Sequence, residues 1–245
     1  MTSTRIVTAN TLFRLPRPRA VEVLDDVLAR EPDLVALQEW YVVRLPLLRP
    51  SGSVRVAPGP PIAVPGGHRY HWVTGLGGGN AVGARADRYD LLHARQRWLS
   101  LPGPTDRDDR LLGLEPPREV TIGVFSDREL GDTVAILSYH LVSGAVDGAA
   151  YRTDRPHLVK RHQHEVHRVE EIVADLTAAG HRVYAAGDSN HHLQRFAGLT
   201  SAWEGREPQP TCGPNTIDDV HGPGPATSVE VLDTPSDHRA VLVER

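Results

Sequence analysis

Cysteine and lysine are nearly absent from this chain of 245 residues, which contains one of each, Cys212 and Lys160. A single cysteine excludes an internal disulfide, which fits a reducing compartment without requiring one. No run of about 18 apolar residues occurs, so a membrane-spanning helix is not expected. The opening residues, MTSTRIVTAN, lack the basic, apolar and small-residue sequence of a signal peptide. We therefore expect a cytoplasmic protein, although a secreted chain that had lost its signal would look the same.

The chain also lacks the basic charge balance that is typical of nucleic-acid-binding proteins, because its formal net charge is −4. A local basic patch could still bind nucleic acid. Nearly all positive charge is carried by arginine, which we interpret first as genome composition bias and second as selection for phosphate contacts. The remaining composition, 40% hydrophobic and 24% charged, is typical of a soluble globular protein. Nothing in it implies a protein partner.

Hydrophobic spacing predicts strands and helices over most of the chain. One helix is predicted after Pro18 and ends at Pro32, and a longer one spans His157 to Ala178 and is capped by Gly180. A short helical piece is expected between Asn190 and Leu199. Residues 49–67 are rich in Pro, Gly and Ser and are predicted to form a loop. Strands are predicted at 5–12, 33–40, 69–76, 80–86, 90–100, 118–126, 133–142, 182–190, 216–220, 226–232 and 239–244.

This mixture of strands and helices, without a long linker or an internal repeat, predicts one α/β domain over residues 1–245 with mixed sheets and outer helices. Polar side chains lie at or near the ends of several apolar strands. A buried polar group without a partner costs a few kcal/mol. If these strand ends converge in the fold, the side chains can hydrogen-bond one another and bind a cation between them. The residues concerned are Asn10, Glu39, His140, Asp188, Asn190, Asp218, Asp237 and His238.

Alternation along a strand predicts that Asp188 and Asn190 face one site while Ser189 points away. Gly187 allows close approach of backbone or ligand. Asp237 and His238 are adjacent, so both can reach one site only from a loop. The stretch DTPSDHR, in which proline favours a turn, supplies such a loop.

Simpler interpretations exist for several of these residues. Asp188 and Asn190 are both good helix N-caps, and Glu39 could be a solvated charge at a strand end. The HEVH stretch on the long helix lacks the H-E-x-x-H spacing of a zinc site. A solvated helix face is the favoured interpretation for its histidines, and His162 is expected in the core. His191 and His192 are expected at the rim of a pocket.

Seven short motifs occur in a characteristic order between Arg5 and Val243: TANTL, LQE, GGNAVGAR, YHL, GDSN, TIDDV and SDHRAV. In this order the sequence resembles the endonuclease/exonuclease/phosphatase superfamily, which includes DNase I-like nucleases. The resemblance implies a four-layer α/β sandwich, with two mixed β-sheets packed face to face and helices on the outside. It also implies divalent-metal-dependent hydrolysis of phosphoesters at one end of the sandwich.

The resemblance further implies a metal site. Glu39, with help from Asn10 and Asp237, would hold Mg²⁺ or Mn²⁺. Hard oxygen ligands of this kind suit Mg²⁺, which usually keeps several waters.

The same resemblance assigns catalytic and substrate-binding roles. His238 would contact the scissile phosphate or transfer a proton, and Asp218 would orient His238 and stabilise its charged form. Asp188 would orient or deprotonate the attacking water, and His140 would protonate the leaving oxygen. Two further residues, Asn190 and Arg118, would contact phosphate oxygens.

We therefore expect a metal-dependent phosphodiester hydrolase, first of all a nuclease acting on DNA or RNA. A phosphatase or a lipid or small-molecule phosphodiesterase is the alternative, and an inactive binding module is disfavoured because the polar set is intact. The partner is then nucleic acid or another phosphodiester. Two departures from the family pattern, Ser189 within GDSN and the SYHL motif, leave the predicted site residues in place. The tyrosine-bearing motif of the exonuclease III-like branch is missing, so abasic-site repair is not expected.

Overall fold

Two mixed β-sheets, packed face to face, form the centre of the protein in a computed structural model that describes residues 3–57, 61–62, 69–77 and 79–245. The first sheet consists of β1 (Arg5–Asn10), β2 (Leu34–Gln38), β3 (Gly52–Ala57), β4 (Pro61–Ile62), β5 (Tyr70–Gly75), β6 (Ala81–Arg85), β17 (Ser228–Leu232) and β18 (Ala240–Glu244). These eight strands lie in the order β17-β18-β1-β2-β6-β5-β3-β4.

The second sheet consists of β7 (Tyr89–Ser100), β10 (Arg118–Asp127), β11 (Thr133–His140), β14 (Arg182–Asp188), β15 (Thr200–Ser201) and β16 (Asp218–Gly222). These six strands lie in the order β15-β16-β14-β11-β10-β7. Two small ribbons are the other strands of the described residues: β8 (Gly103–Pro104) with β9 (Leu114–Glu115), and β12 (Val146–Asp147) with β13 (Ala150–Tyr151). The α-helices are α1 (Arg17–Leu28), α2 (Leu45–Leu48) and α3 (Pro156–Ala178), and short 3₁₀ turns span Val42–Arg44, Arg49–Ser51 and Leu111–Gly113.

Alternating side chains of the strands build three layers of core. Ile6 packs between the two sheets, whereas its neighbour Val7 packs on the opposite face of β1 together with Leu24 of α1. On the other side of the sandwich, Val169 of α3 packs against the outer face of the second sheet, where Val120 lies. The architecture is thus helix, sheet, sheet, helix, and the predicted four-layer sandwich is confirmed.

Parallel pairing brings four of the polar strand ends to one edge of the sandwich. Strands β1 and β2 are parallel, as are β11 and β14. In the second pair His140 stands directly beside Asp188. Because parallel strands end at the same edge of a sheet, Asn10, Glu39, His140 and Asp188 collect there.

Two local predictions are wrong. The region 49–67 is not a continuous loop, because β3 lies within it and pairs in parallel with β5, and β4 follows; residues 58–60 and 63–67 lie outside the described ranges. No helical piece forms between Asn190 and Leu199. There the amides of His192 and Leu193 donate to Gly148 and Thr216 instead of to a helix.

The long helix α3 begins and ends as predicted. Pro156 occupies the first turn, where its missing N–H costs nothing. The carboxylate of Asp106, 51 residues away in sequence, accepts hydrogen bonds from the amides of His157 and Leu158. Gly180 follows the helix with a positive φ of 85°. Within the described ranges, no helix is long and apolar enough to cross a membrane.

A buried ion network links the sheets at the edge opposite the converging polar ends. Asp127 is fully buried and pairs with Arg88 at 2.9 Å and with Arg182 at 2.8 Å. Arg88 also lies 3.2 Å from Asp33, which precedes β2 in the other sheet. Burial raises the pKa of Asp127, but the two arginines outweigh it and lower the pKa overall. Removing this carboxylate would leave a buried guanidinium without its main partner.

We predict that Asp127→Asn lowers the free energy of unfolding by about 3 kcal/mol, because breaking a buried ion pair exposes the full desolvation cost of the remaining charge. Urea denaturation at neutral pH measures this as a lower midpoint. The matched control is Asp90→Asn, which breaks an exposed pair with Arg128 and should change stability by less than about 1 kcal/mol. Equal midpoints for the two variants would contradict the role of the network.

Candidate active site

A cleft of about 510 Å³ opens at the edge where the parallel strands end. The sequence predicted nine site residues, and six of them line this cleft: Glu39, Arg118, His140, Asp188, Asn190 and His238. Asn10 and Asp218 lie directly behind the wall, where each is hydrogen-bonded to a lining residue. Residues far apart in sequence therefore meet in one place.

Asp188 lies at the centre of the site and is almost completely buried. Its Oδ2 atom accepts a hydrogen bond from Asn10 Nδ2 at 3.0 Å, and its Oδ1 atom accepts one from the Asn190 amide at 2.8 Å. The Nε2 atom of His140 is 3.4 Å from Oδ2. Burial, followed by the nearby charge of Asp218, raises the pKa of the Asp188 carboxyl to about 7. Such a group can hold or release a proton near neutral pH.

His238 is held by a second carboxylate. Its Nδ1 atom is 2.9 Å from Oδ2 of Asp218, which is itself fully buried at the start of β16. Burial lowers the pKa of His238, but Asp218, followed by a hydrogen bond with Cys212 and the charge of Asp188, outweighs it and raises the pKa to about 12. The Nε2 atom points toward Asp188, 3.9 Å from its Oδ2. The environment of His238 therefore favours its charged form, with Nε2 directed into the site.

His140 has the opposite electrostatic environment. Burial, Arg118 and His238 together hold the pKa of its imidazole well below the ordinary value. The site thus brings two histidines with opposite pKa shifts to the same oxygen, Oδ2 of Asp188. Environments that push the pKa values of neighbouring groups apart are a feature of acid–base sites.

Asn190 reaches the cleft by a turn and not by strand alternation. Strand β14 ends at Asp188, and Asn190 adopts a left-handed conformation with φ of 51°. Its Nδ2 donates to the carbonyl of Leu141 at 3.0 Å. Ser189 points away, as predicted, and its hydroxyl donates to the carbonyl of Ile217 at 2.8 Å. The predicted facing is thus correct, although the backbone produces it differently.

Three aromatic rings support this turn from behind. His162 of α3 is fully buried, with Nε2 2.8 Å from the carbonyl of Ser189 and Nδ1 3.1 Å from the hydroxyl of Tyr151. The ring of His191 stacks on His162 at 5.8 Å. His162 is therefore a satisfied core histidine, as predicted. His191 and His192 do not line the cleft; the Nδ1 atom of His192 accepts a hydrogen bond from the amide of Thr216.

Glu39 follows β2 with a positive φ of 57°, an uncommon conformation for a residue with a side chain. Its Oε2 atom accepts a hydrogen bond from the amide of Phe13 at 2.5 Å. The loop that carries Phe13 is fixed by Arg44, whose guanidinium donates to the carbonyls of Thr11, Leu12 and Phe13 among others. A half-buried carboxylate is thereby held in the cleft wall.

The cleft offers two positions at which protein side chains could bind a metal ion. Asp188, Asp218 and His238 present ligand atoms that all lie within 4.8 Å of one another. The carboxylate of Glu39 is a second, oxygen-only position on the wall. Asp237 differs from the other predicted ligands, because its side chain is exposed and does not line the cleft. The loop that carries it precedes β18, as predicted, but this loop turns His238 inward and Asp237 outward.

Hydrogen bonds that cross between the sheets run beneath the cleft. Gln38 Nε2 of β2 donates to Ser138 Oγ of β11 at 2.9 Å, and Ser138 Oγ donates back to the carbonyl of Leu37 at 2.9 Å. Thr8 Oγ1 donates to Gln38 Oε1 at 3.1 Å. All of these side chains are buried. The strand ends of the two sheets are therefore fixed relative to each other.

Other residues in the wall of the cleft were not predicted from the sequence. Asn80 and Glu119 line the cleft and are nearly fully buried, and Arg14, Arg110 and Tyr41 also line it. Asn80 and Glu119 lie at strand beginnings, not at strand ends. Because β6 is antiparallel to β2 and β10 is antiparallel to β11, these beginnings reach the same edge. A search for polar residues at both termini of apolar strands would have found them.

Neither a protein-family model nor a curated protein matches the sequence. Solved structures do match over nearly the whole chain. An endonuclease/exonuclease/phosphatase family protein from Bacteroides thetaiotaomicron is 16% identical, with a TM-score of 0.68 over 99% of this chain and 94% of its own. TDP2 from D. rerio, complexed with a single-strand DNA product, is 15% identical, with a TM-score of 0.65 over 100% and 99%.

A mannosyl-6-phosphatase of Bacteroides thetaiotaomicron, Bt3783, is 16% identical, with a TM-score of 0.66 over 98% of both chains. At these identities the likeness establishes the fold. The chain therefore has the fold of the endonuclease/exonuclease/phosphatase superfamily, as its ordered motifs predicted.

Proposed function

We propose that the protein hydrolyses phosphoesters with the help of a divalent metal ion, and that phosphodiesters, first of all nucleic acids, are its substrates. One observation carries this proposal: a buried aspartate with a raised pKa lies between a charged and a neutral histidine in an arginine-lined cleft. Such an arrangement supplies a group to activate water, a cation for the phosphate, and a second imidazole near the leaving oxygen.

The residues of the cleft fit a hard divalent ion. Glu39 presents a carboxylate at the wall, and the carboxylate of Asp188, held by the amide of Asn10, lies in the same cleft. We propose Glu39 with Asn10 as the principal ligands of Mg²⁺ or Mn²⁺, whereas the predicted third ligand, Asp237, faces away from the cleft. Carboxylate and amide oxygens suit either ion. When bound, the ion would polarise a phosphoryl oxygen and neutralise its developing charge.

Protein side chains would supply the proton transfers and the contacts to the phosphoryl oxygens. Asp188 would orient the attacking water and accept its proton, because its raised pKa suits a base near neutral pH. His238 would donate a hydrogen bond from Nε2 to a phosphoryl oxygen, while Asp218 holds the ring by Nδ1. His140, whose Nε2 atom lies 3.4 Å from Asp188 Oδ2, would pass the proton that Asp188 takes from water on to the leaving oxygen. Asn190 and Arg118 would contact the remaining phosphoryl oxygens.

Nucleic acid is the first candidate substrate because three arginines, Arg14, Arg110 and Arg118, line an open cleft despite the negative net charge. Guanidinium groups bind phosphates bidentately. The similar fold of D. rerio TDP2 in complex with a single-strand DNA product supports this choice. A catalytically inactive binding module is disfavoured, because the buried acid–base groups carry a cost that binding alone does not require.

A small phosphorylated molecule is the second candidate. It is favoured by the acidic and amide groups of Glu119 and Asn80 in the cleft wall. These groups suit the neutral polar part of a small phosphorylated molecule better than the charged backbone of a polyanion. The likeness in fold to a mannosyl-6-phosphatase is consistent with it.

We predict that the purified protein cleaves at least one of plasmid DNA, single-stranded DNA, RNA and bis(p-nitrophenyl) phosphate when Mg²⁺ or Mn²⁺ is present. EDTA should abolish the activity, and added metal should restore it, because no protein group replaces the charge of the ion. The measurement is product release over time for each substrate with and without metal. Rates equal to those of buffer with metal, for every substrate, would refute the proposed function.

His238→Ala should lower kcat by about 10²–10³-fold, because it removes a hydrogen-bond donor from the phosphoryl oxygen on which charge develops. The protein should remain folded, as measured by circular dichroism and thermal unfolding. His164→Ala is the matched control, since His164 is exposed on α3 and away from the cleft, and its kcat should equal that of the wild type. A His238→Ala variant that keeps full turnover would remove this histidine from the mechanism.

Asp188→Asn should also lower kcat by about 10²–10⁴-fold, because the amide keeps the shape of the side chain but cannot accept the proton of water. The comparison is made at saturating metal and substrate, so that kcat reports the chemical step. Wild-type turnover in this variant would be incompatible with the assigned role of the carboxylate.

A further inference from the structure

Arg44 is a buried arginine whose charge is not balanced by an ion pair. It is only 5% exposed, and within the described residues no carboxylate pairs with its guanidinium. The two other buried arginines in that part of the chain do have such partners, because Arg88 pairs with Asp127 and Arg161 pairs with Glu165. A buried charge without a counter-ion is costly. The guanidinium of Arg44 must therefore be compensated by other contacts.

Oxygen atoms of one loop provide most of this compensation. The 11–15 loop, which consists of residues 11–15 between β1 and α1, turns four of its carbonyls toward the guanidinium. A hydroxyl of the same loop and the carbonyl of Glu39 also accept hydrogen bonds from it. The six donor–acceptor distances lie between 2.7 and 3.3 Å. The acceptors are the carbonyls of Thr11, Leu12, Phe13, Leu15 and Glu39 and the hydroxyl of Thr11.

Amides of the same loop bind the proposed metal ligands. The amide of Leu12 donates to Asn10 Oδ1 at 3.1 Å, and the amide of Phe13 donates to Glu39 Oε2 at 2.5 Å. Leu12 has a positive φ of 42°, a conformation that a residue with a side chain keeps only when its surroundings enforce it. An oxygen that accepts one hydrogen bond retains a second lone pair for an ion. The loop therefore orients both ligand oxygens and leaves them able to bind a metal.

We propose that Arg44 is a positioning residue of the metal site. By binding the carbonyls of the 11–15 loop it holds the loop amides in place, and these amides hold the oxygens of Asn10 and Glu39 in the arrangement that binds a divalent ion. This rests on the proposed metal-dependent hydrolysis, and it adds a residue that touches neither metal nor substrate. The position of Arg44 is itself fixed, because Leu48 in the following helix α2 is fully buried in the core. Hydrogen-bond partners of metal ligands typically change metal affinity about 10–100-fold.

Two other roles of Arg44 predict different results. The guanidinium interacts with the charge of Glu39, which opposes the lowering of the Arg44 pKa by burial. A positive charge this close to a cation site repels the cation. If Arg44 acted through its charge alone, its removal would therefore strengthen metal binding. If Arg44 only stabilised the fold, its replacement would lower Tm and leave the metal affinity of the folded protein unchanged.

The test is a titration with Mn²⁺, in which the EPR signal of the free ion measures binding directly and without substrate. Arg44→Lys keeps the charge, but a single ammonium group cannot reach the six oxygens that the planar guanidinium spans. Arg44→Gln removes the charge. We expect the Kd for Mn²⁺ to rise about 10–100-fold in both variants. An unchanged Kd, or tighter binding by Arg44→Gln, would overturn the positioning role.

The matched control is Arg88→Lys, which alters an equally buried arginine at the opposite edge of the sandwich. It should lower Tm and keep the wild-type Kd for Mn²⁺. An equal loss of affinity in this control would assign the effect to lost stability and would overturn the inference.

Amide hydrogen exchange, measured by NMR without metal, tests the loop itself. Exchange of the Leu12 and Phe13 amides should be about tenfold faster in Arg44→Lys than in the wild type. Unchanged exchange would contradict the inference. A wild-type protein that binds no Mn²⁺ would refute the proposed metal site and this inference together, whereas wild-type binding that both Arg44 variants retain would refute the inference alone.

Discussion

Hydrogen bonds that cross from one sheet to the other are the interaction on which the rest of this site depends. Gln38 and Ser138 join the sheets under the cleft, and Asn10 joins Asp188 at its floor. Without these bonds, the ends of β1 and β2 would be free to shift relative to those of β11 and β14. The buried charges above them could then not keep the distances that set their pKa values.

Electrostatic asymmetry follows from this rigid frame. Asp188 and Asp218 are both buried, and only one of them is paired closely with a histidine. The pairing raises the pKa of His238, whereas burial, followed by the charges of Arg118 and His238, lowers the pKa of His140. Each group of the proposed mechanism therefore derives its protonation state from its neighbours. The cost of these buried groups is offset elsewhere by the burial of the apolar layers.

Much of this arrangement could be predicted from sequence, because parallel strands carry their polar ends to one edge. Asn10, Glu39, His140 and Asp188 were recognised as polar residues at or near the ends of apolar strands, and the ordered motifs indicated the partnership of Asp218 with His238. Asn80 and Glu119 were missed because they lie at strand beginnings, which reach this edge only through antiparallel pairing. The helix expected after Asn190 failed because its amides are used by distant carbonyls. Strand β3 was missed because proline and glycine surround it.

The central claim is that water, activated in this cleft, attacks phosphorus. Hydrolysis of bis(p-nitrophenyl) phosphate in ¹⁸O-labelled water with saturating Mg²⁺ or Mn²⁺ tests it directly, with ³¹P NMR locating the label. If water attacks phosphorus, one ¹⁸O atom appears in the released p-nitrophenyl phosphate and none in the p-nitrophenol. Label in the p-nitrophenol, or product formed without incorporation into the phosphate, would contradict it.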